Sequence, residues 1–207
     1  MSDEVLDASD ATERMAVRAM QAVLLALFAY TLFRVRLGLA TGIGVSLAVT
    51  LLPAVLRREY DYSMDPLLVL WITLSVFVHT IGSLGPYDWF GWYDSVAHTV
   101  SAVVIAGIGY VTLRTFETHS DEISVPGEFR AVFIVVFVLA AGVLWELLEF
   151  ASGQLARAVG ADAPLAVRGV GDIVNDLVFN TLGAVIVAAV GTDYLHGFVT
   201  FLRRRLE

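Results

Sequence analysis

Four short segments of the chain carry side chains able to hold a metal ion or move a proton. Tyr93-Asp94-Ser95-Val96-Ala97-His98 places Asp94 and His98 four residues apart, on one face of a helix. Trp145-Glu146-Leu147-Leu148-Glu149 sets two carboxylates three apart, again on one face. From Gly171, the segment Asp172-Ile173-Val174-Asn175-Asp176-Leu177-Val178-Phe179-Asn180 makes a stripe of Asp172, Asp176 and Asn180. His79 stands alone in an apolar run, Phe77-Val78-His79-Thr80. Imidazole together with several carboxylates is a hard-to-borderline donor set, suited to Zn, Mn, Fe or Mg. The chain has no Cys, so thiolate sites and disulfides are excluded.

These segments lie in or beside stretches long enough to cross a bilayer. A hydrocarbon core of ~30 Å takes ~20 apolar residues as helix. Six stretches qualify: Ala16–Val35, Leu37–Leu56, Pro66–Leu84, Ser95–Leu113, Ala131–Ala151 and Asp172–Val190. With 57% hydrophobic residues and a mean hydropathy of +0.75, the expected fold is all-α, a polytopic membrane bundle of about six transmembrane helices. The expected organisation is a disordered acidic N-terminal tail over 1–15, a six-helix transmembrane domain over 16–202 and a basic C-terminal tail over 203–207. Gly85–Asp94 is rich in aromatics and reads as an interfacial turn, and Ser152–Gly171 reads as a Gly- and Ala-rich connection.

Charge excludes one class of partner and orients the rest. The net charge is −8, so no nucleic acid is expected as a partner, because phosphate binding needs a basic patch. All 13 basic residues are Arg, and with acids in excess this suggests a high-salt cytoplasm. Six spans put both termini on one side, together with Arg14, Arg18, Arg57, Arg58, Arg114, Arg130 and the run Arg203–Arg205. Only Arg34, Arg36, Arg157 and Arg168 fall opposite, so both termini are expected in the cytoplasm of a multi-pass cell-membrane protein.

With that orientation, every polar intramembrane group falls at one level, toward the extracytoplasmic face. Outward-running spans end with His79, Glu146 and Glu149, and inward-running spans begin with Asp94, His98, Asp172, Asp176 and Asn180. Ionisable groups within spans are costly and mark function. One reading makes Asp94, His98, Glu146 and Asp176 ligands of a divalent metal, with Glu149 or Asp172 as general base. His79, Asn180 and Arg168 are then accompanying polar groups. The expected substrate is a membrane lipid or a lipid-linked molecule. A second reading is an ion- or proton-coupled carrier, and a third is a scaffold with a buried polar lock. Plainer roles stand beside these: Asp94 and Asp172 as helix N-caps, the glutamates paired with Arg157 or Arg168, and His79 as a hydrogen-bonded core residue.

The order Tyr93-Asp94-x-x-x-His98, Glu146-x-x-Glu149, then Asp172-x-x-x-Asp176 followed by Gly183-Ala184 resembles the YjdF-like family of inner-membrane proteins. The match covers roughly the last two-thirds of the chain. A more distant similarity is to the VanZ-like family, through the Asp…His pair, the later Glu and Asp176-x-x-x-Asn180-x-x-Gly183-Ala184. Ser95 stands where VanZ-like proteins commonly carry Lys. The resemblance implies a multi-pass membrane fold and a shared polar site, and no substrate.

The absence of Cys makes the topology directly testable. In intact cells, an impermeant maleimide should label Asp88→Cys and Ser152→Cys but not Ser124→Cys. The reverse pattern would invert the orientation.

Overall fold

The computed structural model describes residues 2–119, 123–160, 169–190 and 195–206. The described residues form eight helices and no strand: α1 (Ser2–Phe33), α2 (Leu37–Tyr60), α3 (Pro66–Gly82), α4 (Pro86–Trp89), α5 (Tyr93–His119), α6 (Gly127–Val159), α7 (Val170–Val190) and α8 (His196–Leu206). Five of them, α1, α2, α5, α6 and α7, are long and apolar enough to cross a membrane. The sixth expected span, α3, is apolar but has 17 residues. That is ~26 Å of helix at ~1.5 Å per residue, slightly under the usual core thickness.

Local signals explain where the helices start and stop. Asp65 caps α3, its carboxylate accepting from Leu67 N at 3.0 Å and Leu68 N at 3.3 Å, with Pro66 in the first turn. Pro126 precedes α6, and Gly160 ends it in the left-handed conformation at φ 67°. Helix α6 has 33 residues and continues past the expected span, through much of what reads in the sequence as connection. The acidic leading residues continue into α1, and Arg203–Arg205 lie on α8.

The chain divides into two units, Met1–Pro86 and Tyr87–Glu207. In the first, α1, α2 and α3 pack on one another. Helix α1 buries Val17, Leu24 and Thr31, spaced by sevens, so one stripe faces its partners. Helix α2 buries Ala40, Ile43, Ser46 and Thr50. Thr80 Oγ1 donates to Ser46 Oγ at 2.8 Å, tying α3 to α2, and Gln21 Nε2 donates to the Thr50 carbonyl at 3.0 Å, tying α1 to α2. Such small and hydroxyl-bearing contacts suit helix packing in lipid, where apolar surface alone gives no drive to associate.

In the second unit α5 is central, packed by α6, α7 and α8. Helices α5 and α7 run in the same direction in a constant register. Asn175 Nδ2 donates to Ser95 Oγ at 3.1 Å, and Thr99 Oγ1 donates to the Phe179 carbonyl at 3.4 Å. One turn further, a Cβ on Gly183 would stand 2.6 Å from both Ala102 Cβ and the Thr99 carbonyl oxygen. Only glycine permits this approach, which brings the two backbones together just below the polar segment. Helix α6 runs against them, with Phe137 over Gly109 of α5 and Gly142 over Asn180 of α7.

Gly183→Ala should therefore destabilise the fold by about 1–3 kcal/mol through overpacking. Thermal melting of the detergent-solubilised chain measures this, and an unchanged melting temperature would contradict the close α5–α7 contact.

Candidate functional site

Helix α6 is inverted in polarity relative to a water-soluble helix. Glu146 and Glu149 are buried, at 6% and 8% exposure, while Leu147 and Leu148 between them are 58% and 59% exposed. Leu144 and Phe150 are exposed as well. Helix α7 follows the same rule, with Asp176 and Asn180 buried and Val174, Val178 and Leu182 exposed. In lipid, an apolar exterior costs nothing, and a carboxylate must turn to the protein interior.

The register of the helices brings the acids to one level. Gly142 of α6 meets Asn180 of α7. One turn onward along α6 and one turn back along antiparallel α7, Glu146 comes level with Asp176. Among the described residues, the charged groups acting on Glu146 include Asp176, His98, Asp172 and Asp94, and those acting on Glu149 include Glu146, Asp94 and Asp176. Five carboxylates and one imidazole thus share one electrostatic neighbourhood. Asp94 and Asp172 are half-buried, the other acids buried.

Three side chains come within chelating range. Ligand atoms of Asp94, His98 and Asp176 lie within 4.8 Å of one another. His98 Nε2 is 3.6 Å from Asp94 Oδ1 and 3.6 Å from Asp176 Oδ2. Its other nitrogen, Nδ1, is 3.4 Å from Asn180 Oδ1. With Nδ1–H donating to that amide oxygen, the Nε2 lone pair faces two carboxylates. Three lone-pair donors aimed at one another repel unless a proton or a cation lies between them. The donor set of two carboxylates and one imidazole fits a hard or borderline divalent ion and leaves coordination positions for other ligands.

Glu146 is not among the three, yet both of its carboxylate oxygens are buried and make no hydrogen bond with a described residue. Glu149 differs, because Trp145 Nε1 donates to its Oε1 at 3.0 Å. Trp145 as a donor one turn before Glu149, and Ser95 with Asn175 as a polar link between α5 and α7, were not singled out by sequence reasoning. The four-residue spacing of Trp145 and Glu149 was the available signal for the first. No signal pointed to Asn175, because its partner lies on another helix.

Of the other residues read from the sequence, His79 belongs to α3 in the first unit, near that helix's end and half-buried. Arg168 lies outside the described residues. Arg157 is exposed, and its guanidinium approaches Gly153 of its own helix. At the opposite end of α5 the charges are arranged differently. Glu117 there receives Arg114 Nη1 at 2.6 Å, Arg130 Nη2 at 3.3 Å and the Val125 amide at 3.2 Å, closing the α5–α6 connection.

The acidic end also carries the aromatic cluster. Tyr87 and Tyr93 meet edge to face at 5.6 Å, and Trp92 lies 5.8 Å from Tyr93. Trp89, Phe90 and Trp92 are exposed. Exposed aromatics of this kind mark the level of the membrane–water boundary, and Asp94 follows Tyr93 directly.

A family model described as Predicted membrane protein (DUF2238) matches residues 16–197, and the chain belongs to that family, whose domain is that of the YjdF proteins. It is a multi-pass membrane protein. No curated protein and no solved structure matches it.

Proposed function

We propose that this member of the DUF2238 family binds a divalent cation through Asp94, His98 and Asp176, and performs hydrolysis or group transfer on a membrane lipid or lipid-linked substrate. The observation that carries the reading is the convergence of His98 Nε2 on Asp94 Oδ1 and Asp176 Oδ2, each at 3.6 Å, with Nδ1 turned to Asn180. Asn180 is the orienting group: by accepting from Nδ1 it selects the tautomer whose Nε2 is a ligand. The cation would supply Lewis acidity toward a carbonyl or phosphoryl oxygen and toward water.

The other acids then divide by position. Asp172 is half-buried one turn before Asp176, nearer the aromatic end, and is the better-placed general base. Glu149 is held by Trp145 and serves as the alternative base. The aromatic cluster supports a substrate that reaches the site at headgroup level. We place that level on the extracytoplasmic side, because Arg114 and Arg130 cluster at the other end of α5 and α6. The segment Asp176-x-x-x-Asn180-x-x-Gly183-Ala184 and its likeness to the VanZ-like family support a polar site common to both groups. The Arg-only, acid-rich composition supports a high-salt cytoplasm.

A carrier needs a route through the bundle. Below Asn180 the α5–α7 contact at Gly183 has no space even for one Cβ, which favours a closed pocket over a pathway.

Metal content is the deciding measurement. Detergent-purified wild type should hold divalent metal, and Asp176→Ala should lose it. Incubated with a lipid extract from its own membrane, the loaded protein should alter the lipid mass spectrum, whereas Asp172→Asn should keep its metal and leave the lipids unchanged. A folded wild-type chain that takes up no Zn, Mn, Fe or Mg would leave only the scaffold. Cation flux into proteoliposomes that depends on Asp176 would replace the enzyme with a carrier.

A further inference from the structure

Independently of the metal reading, we propose that α8 and the arginine run that closes it form a docking surface for anionic phospholipid headgroups, at the end of the second unit opposite the acidic site. Helix α8 has 11 residues, ~16 Å at ~1.5 Å per residue, too short to cross a core of ~30 Å. Its apolar and polar residues separate onto opposite sides more sharply than in any of α1, α2, α3, α5, α6 and α7, and it is the least apolar of these helices. A helix with that combination lies along the membrane–water boundary instead of crossing it.

The place of α8 in the second unit agrees. Helices α5 and α7 run the same way from the acidic end, so α8 follows α7 at the far end, where Glu117 holds Arg114 and Arg130. Leu195, just before α8, and Val199, one turn on, are buried, and a Cβ on Gly107 of α5 would stand 3.4 Å from Leu195 Cδ1. That contact seats α8 against the bundle by one face. Phe198 and Phe201 stack at 6.1 Å and are half-buried, an aromatic strip beside the buried one. Thr200 and Arg204, one turn apart, form the exposed side. The helix ends in Arg203–Arg205, the one run of three basic residues in the sequence. The whole chain carries −8, so a general attraction to an anionic surface is absent and any attraction is local to this run. Guanidinium pairs with phosphate oxygens two-pronged, and each arginine close to an anionic surface strengthens binding about fivefold.

The experiment titrates the full chain in detergent with phosphatidylglycerol or phosphatidylcholine and counts retained lipid by native mass spectrometry. Wild type should retain phosphatidylglycerol in preference, and added salt should weaken that preference. Arg204→Gln should lower phosphatidylglycerol affinity about fivefold. The triple change Arg203→Gln, Arg204→Gln and Arg205→Gln should abolish the preference. Arg57→Gln with Arg58→Gln, exposed arginines of the first unit, should leave it intact. Equal retention of the two lipids by wild type overturns the proposal, as does a preference that survives the triple change or is lost with Arg57 and Arg58. Displacement of phosphatidylglycerol by an equal concentration of inorganic phosphate replaces headgroup docking with a free-anion site. If the triple variant fails to fold, Arg204→Gln, whose side chain is exposed, decides alone.

Discussion

The structure of the second unit depends on where a carboxylate can go when the helix around it faces hydrocarbon. Glu146 and Glu149 have leucines on either side that remain exposed. An unpaired charge turned toward lipid would cost several kcal/mol or more, by any of the scales in use. The acids must therefore point at α5 and α7, and those helices must answer with polar groups of their own. Asp94, His98, Asp176 and Asn180 are that answer. Once they are gathered, mutual repulsion becomes the dominant problem of the site, and every functional reading is a way of relieving it.

Close packing turns this gathering into a defined geometry. Gly183 lets α7 approach the backbone of α5, and Gly142 makes room for Asn180 against α6. These contacts set the register in which Ser95 meets Asn175 and His98 meets Asn180. They also bring α5 and α7 together just below the polar groups.

The two ends of the unit carry different charged groups. At one end Glu117 is neutralised by two arginines and a backbone amide, a self-contained arrangement that joins α5 to α6. At the other, acids accumulate, and His98 Nε2 lies 3.6 Å from both Asp94 Oδ1 and Asp176 Oδ2.

Much of this was legible in the sequence because helical spacing is a local property. Runs of apolar residues determine the spans, and the intervals between Asp94 and His98, Glu146 and Glu149, and Asp172 and Asp176 determine shared faces whatever the tertiary structure. Even the common level of these groups followed from span order, since alternating helices must alternate in direction. Partner choice was different. That Asp94, His98 and Asp176 approach within chelating distance without Glu146 depends on helix rotation and separation. Those are set by contacts such as Gly183 on Ala102, between residues far apart in the chain. The length of α6 was also underestimated, because hydropathy marks where a helix leaves the bilayer, whereas the helix itself runs on to the turn at Gly160.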